Sequence, residues 1–214
     1  MTNKDKISNN SAFEFSKKQK IYFIFKRLFD IVFSIIGIIG FIILSIIIKI
    51  IYLFNGDNKT IIYKHTRVGK DGKLFTLYKF RTMVEDADDL LKDLLKDSNI
   101  KDEWNENHKI KKDPRITKVG YFLRKTSLDE FPQFINVLKG DMSVIGPRPL
   151  VEGELESKNG LPLYRKIRPG ITGWWAVNGR NSIAYAQRLE LEYYYVKHCS
   201  LHLDILCFIK TLML

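Results

Sequence analysis

Cysteine is nearly missing from this chain: Cys199 and Cys207 are the only two. They form no C-x-x-C pair, which excludes a disulfide framework and a cysteine-built zinc site. His198-Cys199-x-x-His202 offers three ligand types without a supporting motif, and reads as the surface of an amphipathic helix. Acidic residues are also in short supply. The 24 Asp and Glu face 35 Lys and Arg, a formal net charge of +11. That balance implies anionic partners: nucleic acid, acidic lipid head groups or phosphorylated substrates. No helix-turn-helix, RNP or zinc-finger pattern is present, and the basic residues sit among Gly/Pro turns, which counts against nucleic acid. Internal repeats and low-complexity linkers are absent too. What is there suits one compact domain with an appendage: 214 residues, 45% of them hydrophobic.

Charge and proline are both missing from Ile31 to Ile48, 18 residues flanked by Arg27 and Lys49. That length is at the short limit for a membrane-spanning helix. The run lies too far from Met1, in too poor a cleavage context, for a signal peptide. Ile and Phe on every face favour membrane insertion over a buried soluble helix. Gly37, Gly40, Ser34 and Ser45 are its softening elements. Cations at both ends favour keeping both ends cytoplasmic. The chain therefore divides into a polar lead-in over 1–20, a membrane-inserted helix over 21–54, and a cytoplasmic domain over 55–214. From Met1 to Asp30 there are seven Lys/Arg against three Asp/Glu.

The chemistry concentrates at 126–149. Asp129 and Glu130 stand side by side, and Gly146-Pro147-Arg148-Pro149 forms a rigid turn. Carboxylates can attack phosphorus or hold a metal, and an arginine fork grips phosphate oxygens. Ser127-x-x-Glu130 is equally a helix capping box, in which Glu130 only bonds back to the backbone. Both readings place the pair at the start of a helix over 127–138 that ends at Gly140, where the dipole favours negative charge. A negative nucleophile approaching a diphosphate needs compensation from a divalent cation and guanidinium groups. The candidates are Lys79, Arg81, Arg115, Arg124, Arg148, Arg168 and Arg180. The turns Arg168-Pro169-Gly170 and Asn178-Gly179-Arg180 would hold side chains at fixed positions.

Elsewhere, Thr60–Lys64 and Leu74–Phe80 read as strands around a Lys70-Asp71-Gly72-Lys73 turn. Strand alternation puts Lys79 and Arg81 on either side of Phe80, with both cations on one face. Residues 85–106 carry nine Asp/Glu and three Lys; leucines at helical spacing make this an acidic helical patch lying over the site. A short helix is expected over 152–158, an amphipathic helix over 184–198, and an apolar segment over 201–214 along the membrane or on the core. Trp174 and Trp175 are open between stacking on uracil, the lipid interface and core packing. The fold class is α/β or α+β: a small mixed domain with an N-terminal membrane helix and interfacial amphipathic helices.

Ordered motifs run through nearly the whole chain: Lys26-Arg27-Leu28-Phe29-Asp30, Arg67-Val68-Gly69-Lys70-Asp71-Gly72, Tyr78-Lys79-Phe80-Arg81-Thr82-Met83, Asp113-Pro114-Arg115-Ile116-Thr117 and Leu123 to Glu130. Gly-Pro-Arg-Pro, Arg-Pro-Gly-Ile-Thr-Gly and Asn-Gly-Arg follow. Together, over roughly 20–214, they resemble the bacterial sugar transferase family, the monotopic phosphoglycosyl transferases acting on polyprenyl phosphate. The resemblance implies that Asp129 attacks the sugar-linked phosphorus of a UDP-sugar and expels UMP. Polyprenyl phosphate, undecaprenyl phosphate in bacteria, then takes the sugar phosphate from the aspartate. It implies Glu130 as a Mg²⁺ ligand and Arg148 on nucleotide or phosphate oxygens, in an enzyme that starts an envelope glycan such as a capsule or exopolysaccharide. Family members carry a Ser-Pro break that turns the helix back; this sequence has none, so spanning and re-entrant readings both stand. The expected partners are a UDP-sugar (galactose or glucose first), polyprenyl phosphate and anionic membrane lipids, with no nucleic acid; a homodimer is compatible. Competing readings are a membrane-anchored nucleic-acid binder, a nonenzymatic scaffold, and a hydrolase that passes an aspartyl-phosphate to water.

Overall fold

The computed structural model describes residues 13–107, 110–157, 160–179 and 183–213, with side chains left out at 105–107. Arg180 and most of the polar lead-in therefore lie outside the described residues. Two compact units emerge. One takes in Met1–Ile42, Lys64–Tyr78 and Pro132–Leu214; the other takes in Ile43–Tyr63 and Lys79–Phe131.

Helix α1 (Lys17–Phe54) is unbroken over 38 residues, far beyond the 18-residue charge-free run. At ~1.5 Å per residue it is about 57 Å long. It is long and apolar enough to cross a membrane. No reversal interrupts it within 31–48, and Gly37 lies directly against the ring of Phe134, where a side chain would collide. The helix is inside out. Tyr22, Lys26, Asp30 and Ser34 are buried, while Ile24, Phe25, Ile35, Ile36, Ile39 and Ile43 face outward. The four-residue spacing of the polar set makes one stripe along an α-helix. Each member of that stripe needs a partner, because an unpaired buried polar group is costly.

In the first unit the partners come from the C-terminal half. Lys26 Nζ lies 2.6 Å from Asp204 Oδ2 in α9 (Leu201–Leu212). Tyr22 and Tyr195 donate their hydroxyls to the same carboxylate at 2.7 and 2.6 Å. Asp30 Oδ1 accepts from Ser143 Oγ and Val144 N, both at 2.9 Å. Arg27 donates to the carbonyls of Val137 and Leu138, the last turn of α5 (Gln133–Lys139), where orphan carbonyls favour a cation. The Lys26-Arg27-Leu28-Phe29-Asp30 run is thus a set of structural locks. Beneath it, Leu77, Met142, Ile145, Leu163, Tyr195 and Val196 build the core. Strands β3 (Ser143–Ile145) and β4 (Gly170–Thr172) pair in parallel, Ser143 opposite Gly170. Helices α6 (Glu154–Ser157) and α7 (Trp174–Val177) are single turns, and α8 (Tyr185–His198) has Ala184 as its N-cap, at the start expected of the helix over 184–198. Trp174 packs on this core and stacks on Tyr194 at 6.0 Å, so for that tryptophan core packing prevails.

The hairpin forms as β1 (Ile62–Val68) and β2 (Leu74–Phe80). Asp71 at φ 56° and Gly72 at φ 81° make the connection, the left-handed pair that such a turn demands. The acidic patch is two helices, α2 (Ala87–Leu94) and α3 (Ser98–Asn107), rather than one. Helix α4 (Lys118–Lys125) belongs to the second unit. Thr117 Oγ1 caps it by accepting from Gly120 N at 2.9 Å. Gly120 sits against the Thr82 backbone, where any side chain would collide.

Candidate active site

The second unit assembles the carboxylate pair with two cations. Asp129 and Glu130 lie in a single 3-10 turn, Leu128–Glu130, ahead of α5. The predicted continuous helix over 127–138 is therefore split. The capping box does not form. Ser127 adopts a left-handed conformation, φ 57°, and its side chain makes no cap. Only about a few per cent of non-glycine residues adopt this geometry. Glu130 Oε1 is taken instead by Lys79 Nζ at 2.8 Å, and the same ammonium stands 3.8 Å from Asp129 Oδ2. One lysine at the end of β2 thus bridges both carboxylates.

Asp129 is 8% exposed. Burial raises its pKa, and Glu130 raises it further; Lys79 and Arg124 pull it back down. A desolvated carboxylate is short of hydrogen-bonding water and correspondingly reactive. Arg124 is held by Thr82, whose Oγ1 accepts from Nε at 2.8 Å. Burial lowers the Arg124 pKa, and Asp129 opposes that.

The other predicted cations are engaged elsewhere. Arg81 and Lys79 take different partners: Arg81 donates to Asp57 Oδ2 at 2.6 Å and lies over the Tyr52 ring. Strand alternation stops at Phe80, so Arg81 is free to turn to that partner. Arg115 is buried against Asp113 at 2.7 Å and lies over the Trp104 ring. In the first unit, Arg148 pairs with Glu154 at 2.8 Å. Arg168 Nε donates to the carbonyl of Gly140 at 2.7 Å. Sequence reasoning missed Thr82 and Asp57; nothing local marks them, since each acts on a residue that packing delivers.

The Gly-Pro-Arg-Pro turn is fixed from behind. Glu192 Oε1 accepts from Arg148 N at 2.9 Å and from Tyr164 OH at 3.2 Å. Glu192 Oε2 is buried without a hydrogen-bond partner among the described residues. Burial pushes the Glu192 pKa up to about 8 from 4.5. A raised carboxyl stabilises the fold fully below its unfolded pKa and loses that contribution as pH climbs through the folded one. Urea titrations of wild type and Glu192→Gln should therefore diverge between pH 5 and 8, with wild type losing stability relative to the amide. Parallel pH profiles would show that Glu192 is already ionised.

Comparison with known proteins gives this geometry its setting. The family model described as bacterial sugar transferase matches residues 21–214, and the chain belongs to that family. It is 48% identical over 188 residues to the undecaprenyl-phosphate galactose phosphotransferase of Salmonella typhimurium, covering 87% of this chain and 39% of that protein. It is 42% identical to the UDP-galactose-lipid carrier transferase of Erwinia amylovora, covering 97% of this chain and 42% of that protein. It is 40% identical to the exopolysaccharide production protein ExoY of Sinorhizobium fredii, covering 87% of this chain and 83% of that protein. The chain thus spans about two fifths of the first two relatives and most of the third.

Proposed function

We propose that this chain transfers a sugar phosphate from a UDP-sugar to undecaprenyl phosphate at a membrane surface, with Asp129 as nucleophile. The observation that carries the reading is the buried Asp129 beside Glu130, both facing the single ammonium of Lys79. The relatives' names supply the donor and acceptor classes, with galactose first among sugars.

An Asp129 oxygen attacks the sugar-linked phosphorus, the bond to the bridging oxygen breaks, and UMP leaves with that electron pair. The undecaprenyl phosphate oxygen then attacks the same phosphorus and returns Asp129 as a carboxylate. Splitting one displacement into two gives ping-pong kinetics. Lys79 and Arg124 offset the negative charge that gathers as a carboxylate nears a diphosphate. Two adjacent carboxylates fit Mg²⁺, which takes one or two such ligands and leaves other positions to substrate phosphates. Glu130 would hold the ion, giving up part of its contact with Lys79. Bound there, Mg²⁺ would neutralise phosphate charge in the displacement. The outward isoleucine face of α1 would lie in lipid, so a soluble donor and a lipid acceptor could present phosphates at one level. UDP-sugars place the site on the cytoplasmic side.

The test is UMP release by the purified chain in detergent with Mg²⁺, undecaprenyl phosphate and a panel of UDP-sugars. Lipid-dependent UMP from one donor, UDP-galactose by expectation, supports the reading. UDP release would identify a glycosyltransferase instead. Free sugar phosphate would identify a hydrolase.

A further inference from the structure

The first unit holds a cationic cavity to which the transfer steps above assign no role. A cavity of about 280 Å³ opens beside the first turns of α1. Lys20, Arg27, Lys166 and Arg168 line it, with Phe15 and Phe23 as apolar wall. Lys26 also reaches it, but Asp204 neutralises that ammonium. Lys70 lies at its edge, 4.0 Å from the exposed Asp71 carboxylate. Asp30 is the single acidic side chain in the lining, and its Oδ1 is committed to Ser143 and Val144.

Asp30 answers part of the charge, acting on Arg27 and Lys26 through space, but among the described residues no carboxylate forms an ion pair with Lys20, Arg27, Lys166 or Arg168. Among those residues Arg27 donates to the carbonyls of Val137 and Leu138. Arg168 donates through Nε to the Gly140 carbonyl, which leaves its outer nitrogens without a partner among the described residues. The ammonium groups of Lys20 and Lys166 are likewise unpaired there. The outer nitrogens of Arg168, the nearby charge of Arg27 and two unpaired ammonium groups suit the tetrahedral oxygens of a phosphate. The volume is at the small end for ligand sites, the size of a head group rather than a nucleotide. Ile21, Ile24, Phe25 and Leu28 are exposed on the same turns of α1.

From this we infer that the cavity binds a phosphate group, presented by an anionic phospholipid whose tails lie along the outward face of α1. The inference rests on the membrane reading above and adds a head-group site to it. Phospholipid bound here would fix the rotation of α1 about its axis at the membrane, because Lys20, Phe23 and Arg27 share one helix face.

Native mass spectrometry of the full chain in zwitterionic detergent tests it, with phosphatidylglycerol as the probe. Wild type should retain the lipid, and the double variant K20Q/K166Q should bind it about tenfold more weakly or worse, since each lysine near a lipid phosphate contributes to attraction. Neither lysine has a partner to lose among the described residues, so the fold should be preserved. Equal retention by the variant would overturn the site. Displacement of the lipid by millimolar inorganic phosphate would assign the cavity to a soluble phosphate and overturn the phospholipid assignment. Preferential retention of undecaprenyl phosphate over phosphatidylglycerol would overturn it in favour of the acceptor. Flotation with neutral phosphatidylcholine vesicles reports the isoleucine face separately; if that fails while the detergent result holds, the membrane reading is wrong and the cavity stands.

Discussion

Asp129→Asn should abolish UMP release and covalent trapping of donor label together, with activity falling by about 10⁴-fold or more. The amide has the same shape, fills the same 8% exposed position, and cannot form the acyl phosphate. It also removes a charge whose pKa burial raises, so thermal stability should hold or rise. Loss of activity with a retained melting temperature is therefore expected, and it separates chemistry from collapse. Radiolabelled UDP-sugar, acid quench and gel autoradiography read the trapped species. If the variant keeps more than a hundredth of wild-type turnover, Asp129 is not the nucleophile.

Asp204→Ala should be the most damaging substitution for stability. It leaves the Lys26 ammonium buried, 7% exposed, without the carboxylate it is paired with. It also takes the acceptor from the hydroxyls of Tyr22 and Tyr195. Breaking a buried pair from one side costs about 3–5 kcal/mol, whereas removing both charges together costs far less. The double variant Lys26→Met/Asp204→Asn, which keeps an acceptor for the tyrosines, should therefore recover much of the loss. Urea unfolding in detergent followed by tryptophan fluorescence measures both. Should the double variant prove as unstable as Asp204→Ala, the buried charge is not what makes the single change costly.

Local chemistry made parts of this molecule legible in the sequence. The Asp71-Gly72 turn fixed the hairpin because its left-handed geometry is written in two residues. The Asp129-Glu130 pair was visible because adjacency needs no folding to bring it about. Which of the candidate cations face it was not. Lys79 and Arg81 sit two apart and look equivalent, yet one serves the carboxylates and the other Asp57. That division depends on where β2 ends and on a turn some 24 residues upstream. The capping box failed for a similar reason. Ser127 turned left-handed and Glu130 found a lysine 51 positions away, a partner no local pattern reports. The polar stripe of helix α1 was not legible, because an apolar run marks only the stretch without charge. Its buried Lys26 and Asp30 look like a boundary until their partners in the C-terminal half are seen.

Helix α1 also dictates where this chain can change without harm. On the membrane reading proposed above, lipid would be a fluid neighbour with no fixed shape, so Ile35, Ile39 and Ile43 would be free to drift among leucine, valine and phenylalanine at little cost. The inward stripe faces a close-packed wall and cannot drift. Tolerance along α1 therefore runs opposite to the pattern of a water-soluble amphipathic helix: its hydrophobic positions are interchangeable, and its polar ones are fixed.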